Sequence, residues 1–327
     1  TALVAVTEKL HAAKAAKLSS VLILLDLSAA FDTVNHSILL TTLSNLGVTG
    51  SAWQWMASYL EGRSYQVSSR ISACLQDISQ WMSAHHLKLN PSKTEMLLIP
   101  GDQSPTQDLV ISLDDSQIRP SDKVRSLGVV LDNQLTFSPH IANMTRSCRF
   151  LLYNIRKIRP FLSREATQIL VQSLVISRLD YCNSLLAGAP MSTIKPLQLI
   201  QNAAAHLVFN QPKHCHITPL LRSLHWLPVA ARIQFKTLTL AYKAKNGPAP
   251  SYLRGLIKPR SVPRNLRASS LARLDPPPRT RGRQASRLFS VLAPKWWNEL
   301  PLSVRTSGSL AVFKKRLKTH LFTNHLG

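Results

Sequence analysis

The chain has 327 residues, 45% of them hydrophobic, and 40 lysines and arginines against 16 acids give a net charge of +24. That length allows about two domains, the charge makes a polyanion the natural counterpart, and no apolar run approaches the roughly 20 residues that span a bilayer. The four cysteines stand far apart without a Cys-x-x-Cys pair, so free thiols in a reducing compartment are expected, and no Ser/His/Asp or phosphate-loop signature points to a hydrolase or NTPase.

In chain order the first informative stretch is apolar Val21 to Leu24 followed by LDLSAAFDTV, Leu25 to Val34. It predicts a buried strand that delivers Asp26 to the edge of a sheet, where a carboxylate can hold a hard cation. The same string also fits a plain strand ending in Asp26, with Asp32 capping the next helix. A helix SAWQWMASYL and the segment EGRSYQVSS follow, and Trp53, Trp55 and Trp81 are expected to fill gaps in packing. In LKLNPSKTEMLLI, Leu87 to Ile99, Lys93 sits in a Pro-Ser turn ahead of a strand. Alternation around Asp114-Asp115 in LVISLDDSQIRP predicts an ordinary polar hairpin turn. A strand region, VRSLGVVLDNQLTF, runs from Val124 to Phe137.

From Ser138 the pattern is helical. Apolar residues at helical spacing predict helices over Ser138 to Ile158 and Ser163 to Leu186, the second capped by Ser163. His214-Cys215-His216 is not expected to hold zinc, because three consecutive side chains do not all point comfortably at one ion and no second pair stands at ligand spacing. Trp226 and the pair Trp296-Trp297 fit either packing or base stacking, with packing favoured. The segment Arg254 to Arg287, with Pro276-Pro277-Pro278 and RTRGRQASR, is too rich in proline and arginine to bury much surface. It fits an extended phosphate-contacting linker, a solvated tail or a nuclear-import signal. A closing helix over Leu310 to Phe322 has Leu310, Phe313, Leu317 and Leu321 on one face and Lys314, Lys315, Arg316 and Lys318 largely elsewhere. Charge is uneven: residues 1–100 hold 7 basic and 6 acidic side chains, whereas residues 254–327 hold 16 basic ones and only Asp275 and Glu299. Binding is therefore expected in the C-terminal half, through Arg279, Arg281, Arg283, Arg287, Lys314, Lys315, Arg316 and Lys318.

LDLSAAFDTVNHSILLTTL resembles motif A and the following helix of the reverse transcriptases of non-LTR retrotransposons, the LINE elements of jockey-like and chicken-repeat-like type. The resemblance implies that Asp26 is the metal-binding aspartate and that Phe31 is the aromatic gate under the sugar of the incoming dNTP; Asp32 is habitual there but binds no metal. LKLNPSKTEMLLI resembles motif D, in which Lys93 would lie near the triphosphate and protonate the leaving pyrophosphate. VRSLGVVLDNQLTF resembles the primer-grip region, with Gly128 where a side chain would obstruct close packing. HITPLLRSLHWLPVAARIQFK, His216 to Lys236, and APKWWNELP, Ala293 to Pro301, look like the thumb and the C-terminal extension. The resemblance covers nearly the whole chain.

One part of the family's machinery is missing. Two-metal phosphoryl transfer places its cations about 3.5–4 Å apart and needs several converging carboxylates. In the family these come from motif A and from a later aromatic-Ala-Asp-Asp hairpin preceded by a Pro-Gln-Gly segment, and this sequence has neither the hairpin nor the Pro-Gln-Gly segment. At Ser69–Arg70 it passes directly into RISACLQDISQWMSAHHLKLNPSKTEMLLI, which in the relatives follows the hairpin. Asp114-Asp115 cannot substitute, since it comes after LNPSKTE.

The expected fold is α+β: a truncated palm remnant over residues 1–137, lacking fingers and the Asp-Asp hairpin, a helical thumb and connection over 138–253, and a basic Pro/Arg-rich linker with a C-terminal helix over 254–327. Residues 1–100 are expected to be partly molten or aggregation-prone, because lost strands leave their neighbours without ladder partners. The expected function is that of an inactive reverse-transcriptase remnant, a fragment of a longer reading frame, with residual binding of RNA or DNA. The alternatives are an active RNA-directed DNA polymerase whose central exon is absent from this sequence, and a domesticated basic binding protein. Mg²⁺ is the family's cofactor, with Asp26 alone left to hold it and no productive binding expected. An intracellular site, nucleus or cytoplasm, is expected with no membrane partner, signal peptide or membrane-spanning segment, and the oligomeric state stays open.

Overall fold

The computed structural model describes residues 1–25, 27–28, 66–85, 88–90, 93–101, 109–113, 116–247, 249–260, 272–275 and 287–327. They form a mixture of helices and strands that divides into two compact units, one of Ala16–Leu135 and one of Thr1–Ala15 with Thr136–Gly327.

In the first unit, strand β1 (Ser20–Leu24) precedes the short β2 (Leu27–Ser28), helix α2 (Gln66–Ala84), β3 (Lys88–Leu89) and β4 (Glu95–Ile99); the helix before them, α1 (Ala2–Ala15), belongs to the other unit. The apolar run of β1 pairs antiparallel with β4, from Ser20↔Ile99 to Leu24↔Glu95. On the far side of β4 lies β7 (Pro120–Ser121), in parallel register. Hydrogen-bonded neighbours on both sides make β4 the buried strand, and Met96, Leu97 and Ile99 are wholly inaccessible. Among the described residues β1 has a ladder partner on one side only. Helix α2 supplies Leu75 to a core shared with Leu89, Met96, Ile111 and Ile118. It runs unbroken through the Ser69–Arg70 junction.

Two hairpins complete this unit. Strands β5 (Ile111–Leu113) and β6 (Ser116–Ile118) pair with Leu113 opposite Ser116, which leaves Asp114-Asp115 as their two-residue connection; those two residues lie outside the described set. Strands β8 (Lys123–Ser126) and β9 (Val129–Asp132) pair with Ser126 opposite Val129. Gly128, expected where a side chain would obstruct close packing, lies between them. It sits in the tight turn at φ +78, after Leu127 at φ +47, the two positive-φ positions of a type I′ hairpin. The glycine is required by backbone conformation.

In the second unit, helix α1 (Ala2–Ala15), which the sequence reading grouped with the palm remnant, packs with the C-terminal helices. The Glu8 carboxylate accepts the backbone N–H groups of Phe289 (2.6 Å) and Ser290 (3.1 Å). These are the first residues of helix α10 (Phe289–Glu299), whose opening N–H groups have no partner within the helix. Helix α3 spans Ser138–Ile158, as its spacing predicts, and buries Ile141, Cys148, Leu152 and Ile155. Helix α4 (Arg164–Val171) is capped by the Ser163 hydroxyl, which accepts from the Ala166 N–H at 3.1 Å.

The helix expected to continue to Leu186 stops earlier. After one π turn (Gln172–Ile176) and the short α5 (Ser177–Asp180), Tyr181 turns extended and Cys182 adopts φ +52. A 3₁₀ turn over Asn183–Leu186 then buries Leu185 and Leu186. Helices α6 (Met191–Phe209), α7 (Ile217–Ser223) and α8 (Val229–Asn246) follow. Helix α8 buries residues on most of its circumference and packs on α6, on α10 and on the last helix, α12 (Leu310–Leu326). Their shared centre is aromatic: Phe313 stacks on Tyr242 (4.4 Å) and on Trp297 (5.5 Å).

The segment Arg254 to Arg287 is not an extended linker throughout. Short α9 (Ser251–Arg254) leads into β10 (Lys258–Pro259), which pairs antiparallel with β11 (Leu274–Asp275). The Asn298 amide brackets Leu274, accepting its N–H at 2.9 Å and donating to its carbonyl at 2.8 Å. Leu274 is fully buried. The stretch is therefore docked at residues 258–259 and 274–275.

Candidate nucleic-acid interface

Of the residues expected to form a polymerase site, Asp26 and Phe31 lie outside the described residues. The β1–β4 ladder ends on Leu24↔Glu95 and the β2–β3 ladder begins on Leu27↔Leu89, so the chain on either side of Asp26 is tied to the segment that carries Lys93. Lys93 is exposed in a turn, where its N–H donates to the Asn90 carbonyl at 3.2 Å. Among the described residues no three His, Cys, Asp or Glu side chains stand together in a way that could hold a metal.

The charge lies elsewhere. Residues 1–15 and 136–327 carry 32 lysines and arginines and 5 acids, a net +27, whereas residues 16–135 carry 8 and 11, a net −3. The whole positive imbalance therefore belongs to the helical unit.

Three of the expected binding residues, Arg279, Arg281 and Arg283, lie outside the described residues. Arg287 is half-buried, with its guanidinium 5.9 Å from the Phe137 ring centre. Helix α12 behaves as its pattern predicts. Ser309 caps it by accepting from the Val312 N–H, and Phe313, Leu317, Leu321 and Leu326 are buried. Lys314, Lys315, Arg316 and Lys318 are exposed. Arg316 is committed to the fold, donating to the Ser303 carbonyl at 2.5 Å and tying α12 to helix α11 (Leu302–Arg305).

Trp226 and Trp297 are buried, 3% and 0% exposed, and the Trp297 indole N–H donates to the Ala272 carbonyl. Both are packing residues. Trp81 stacks on His85 at 4.2 Å on a partly exposed face of α2, and Trp53 and Trp55 lie outside the described residues.

A further surface was not singled out in the sequence. The outer face of α3 carries Arg146, Arg149, Phe150, Tyr153, Arg156 and Lys157, all exposed. Their spacing of three and four places them in one stripe. Phe150 is 65% and Tyr153 56% exposed, and the Lys157 ammonium lies 4.7 Å from the centre of the Tyr153 ring, a cation–π contact. No acid occurs anywhere in α3. The signal was present in the sequence: Ile141, Cys148, Leu152 and Ile155 already complete a buried face, so Phe150 and Tyr153 fall on the opposite one.

At its C-terminal end the stripe reaches a cleft of about 320 Å³ lined by Arg156, Arg159, His206, Asn210 and Gln211. Arg159 donates to the carbonyls of Leu207 and Val208, capping the last turn of α6, where a cation also complements the helix dipole. Burial pushes the His206 imidazole below its usual pKa, and the nearby His214 adds to the effect. Its Nδ1 is buried without a hydrogen-bond partner. The site as a whole can hold phosphates along a chain of cations and present two aromatic faces beside them. No protein-family model, curated protein or solved structure matches the chain.

Proposed function

We propose that this chain is a remnant of a LINE-type reverse transcriptase that no longer polymerises and binds nucleic acid through its helical unit with little sequence preference. The observation that carries the binding half is the segregation of charge: 32 basic side chains against 5 acids on one unit, with exposed cations along α3 and α12. Such a surface attracts a polyanion by counterion release, which is indifferent to base sequence.

The reverse-transcriptase half rests on the order of its motif-like strings and on the pairing of β1 with β4, which joins the motif A-like strand to the motif D-like one. Loss of a single preorganised electrostatic group costs about 10²–10³ in rate, and here a whole carboxylate-bearing motif is missing from the sequence. Purified protein is expected to give no extension of a primed RNA template with dNTPs and Mg²⁺, and extension above the Asp26→Asn background overturns the inactivity. A domesticated binding protein shares the charge argument and the same salt dependence: affinity for duplex DNA should fall with a log–log slope of about −0.9 per phosphate neutralised.

A further inference from the structure

We infer that the outer stripe of α3 is a platform for single-stranded nucleic acid, on which Phe150 and Tyr153 stack against bases while Arg146, Arg149, Arg156 and Lys157 hold the phosphates. The inference rests on the binding reading above and adds a strand preference and a location. Two large aromatic side chains lie mostly in solvent on a helix whose other face is already packed. Their neighbours at three- and four-residue spacing are cations. From Arg146 to Lys157 the stripe extends about 16 Å at the helical rise of about 1.5 Å per residue, long enough for several stacked or splayed bases.

The composition of the stripe selects among occupants. A duplex hides its base faces, so exposed rings gain nothing from it beyond the electrostatic attraction that the cations supply anyway; a single strand offers both, and stacking is tolerant of sequence because every base has a π-face. A helix lying on a lipid surface separates an apolar face from a cationic one. Here the aromatic face of α3 is the cationic face, with Lys157 over Tyr153. An acidic peptide would match the charge but would leave the rings without flat partners.

The test uses the full chain and four probes: a mixed-sequence oligonucleotide, its duplex with the complement, anionic vesicles of phosphatidylserine and phosphatidylcholine, and an acidic peptide. Wild type is expected to bind the single strand more tightly than the duplex. Phe150→Ala with Tyr153→Ala should weaken the single strand by about 30-fold or more, since each stacked base lost costs at least about fivefold. Duplex affinity should stay within about twofold and the salt slope should not change. Phe150→Trp with Tyr153→Trp should keep the affinity, whereas the double leucine variant, which preserves apolar area without a π-face, should not. Because both side chains are exposed, the circular dichroism of every variant should match wild type.

Equal binding of strand and duplex, with no effect of the alanine pair, overturns the platform and leaves the binding reading standing. Failure to bind either nucleic acid at low salt overturns both. A variant that loses the vesicles or the peptide while keeping the oligonucleotide overturns the platform in favour of that occupant.

Discussion

The two units solve different problems with different materials. Residues 16–135 contain strands of two to five residues, and beside two local hairpins some of their partners are far away in sequence: β1 meets β4 across more than seventy residues. Their charge is close to balanced, −3, while the helical unit carries +27. Helices make their backbone hydrogen bonds locally, so a helical unit tolerates loss of a neighbouring segment in a way a sheet does not, because a strand without its neighbour exposes a row of unpaired donors and acceptors. A chain that has lost part of a catalytic sheet can thus keep a folded, strongly basic helical body. On the function proposed above, that is the physical reason to look for binding in one unit and for a vestige of chemistry in the other.

The largest effects should come from the two cores. Trp297→Ala removes one ring of the Tyr242–Trp297–Phe313 cluster and the indole bond to Ala272; a loss of about 3–5 kcal/mol is expected. Met96→Ala, in the wholly buried strand β4, should cost about 2–5 kcal/mol. Amide hydrogen exchange distinguishes them. Protection should be lost mainly across residues 136–327 for the first and across residues 16–135 for the second. Protection lost equally in both units for either variant would show that their stabilities are one property and dissolve the comparison.

The next effect sharpens the charge contrast. Replacing Lys314, Lys315 and Lys318 together by glutamine leaves the buried face of α12 and the Arg316–Ser303 contact intact. Stability should be unchanged within about 0.5 kcal/mol, as for surface substitutions generally. Duplex affinity should fall, and the salt slope should shrink by about 0.9 for each lysine that meets a phosphate. An unchanged slope, measured by titration at several salt concentrations, would move the binding surface off α12 altogether.

Local rules made much of the helical unit legible. The apolar period of Ser138 to Ile158, the Ser163 cap and the buried face of α12 each depend on residues within four positions of one another, and the structure reproduces them. The pairing of β5 with β6 on either side of Asp114-Asp115 was legible for the same reason. What was not legible depends on distant partners. Nothing near Pro259 announces that it will pair with Leu274, and nothing near Glu8 announces two N–H donors from residues 289 and 290. The end of the helix at Tyr181 and Cys182 was hidden by an apolar period that continues through Leu185 and Leu186, whose burial after the turn is a tertiary effect. The candidate binding stripe on α3 is a different kind of miss. Its residues have ordinary spacing, and only knowing which face packs makes two aromatic rings conspicuous.

The smallest effect belongs to two buried titratable groups of the helical unit, Glu8 and His206, and it has opposite signs for them. Burial raises the pKa of Glu8 above its usual 4.5, more than the bonds from Ser290 and Phe289 lower it. Folding therefore favours the protonated acid, and its contribution to stability is fully present below pH 4.5 and is lost as pH rises through the higher folded value. His206 is shifted down from 6.5 by burial; the fold favours its neutral form, and that contribution is lost as pH falls below 6.5 and through the lower folded value. Glu8→Gln should therefore lose ground to wild type at acid pH and regain it toward neutrality, because glutamine has no proton to release. His206→Asn should remove the part of the acid destabilisation that begins below pH 6.5. Urea denaturation at a series of pH values reads both, and a Glu8→Gln difference that does not vary between pH 4 and 7 would mean that the two helix N–H donors hold Glu8 ionised despite its burial.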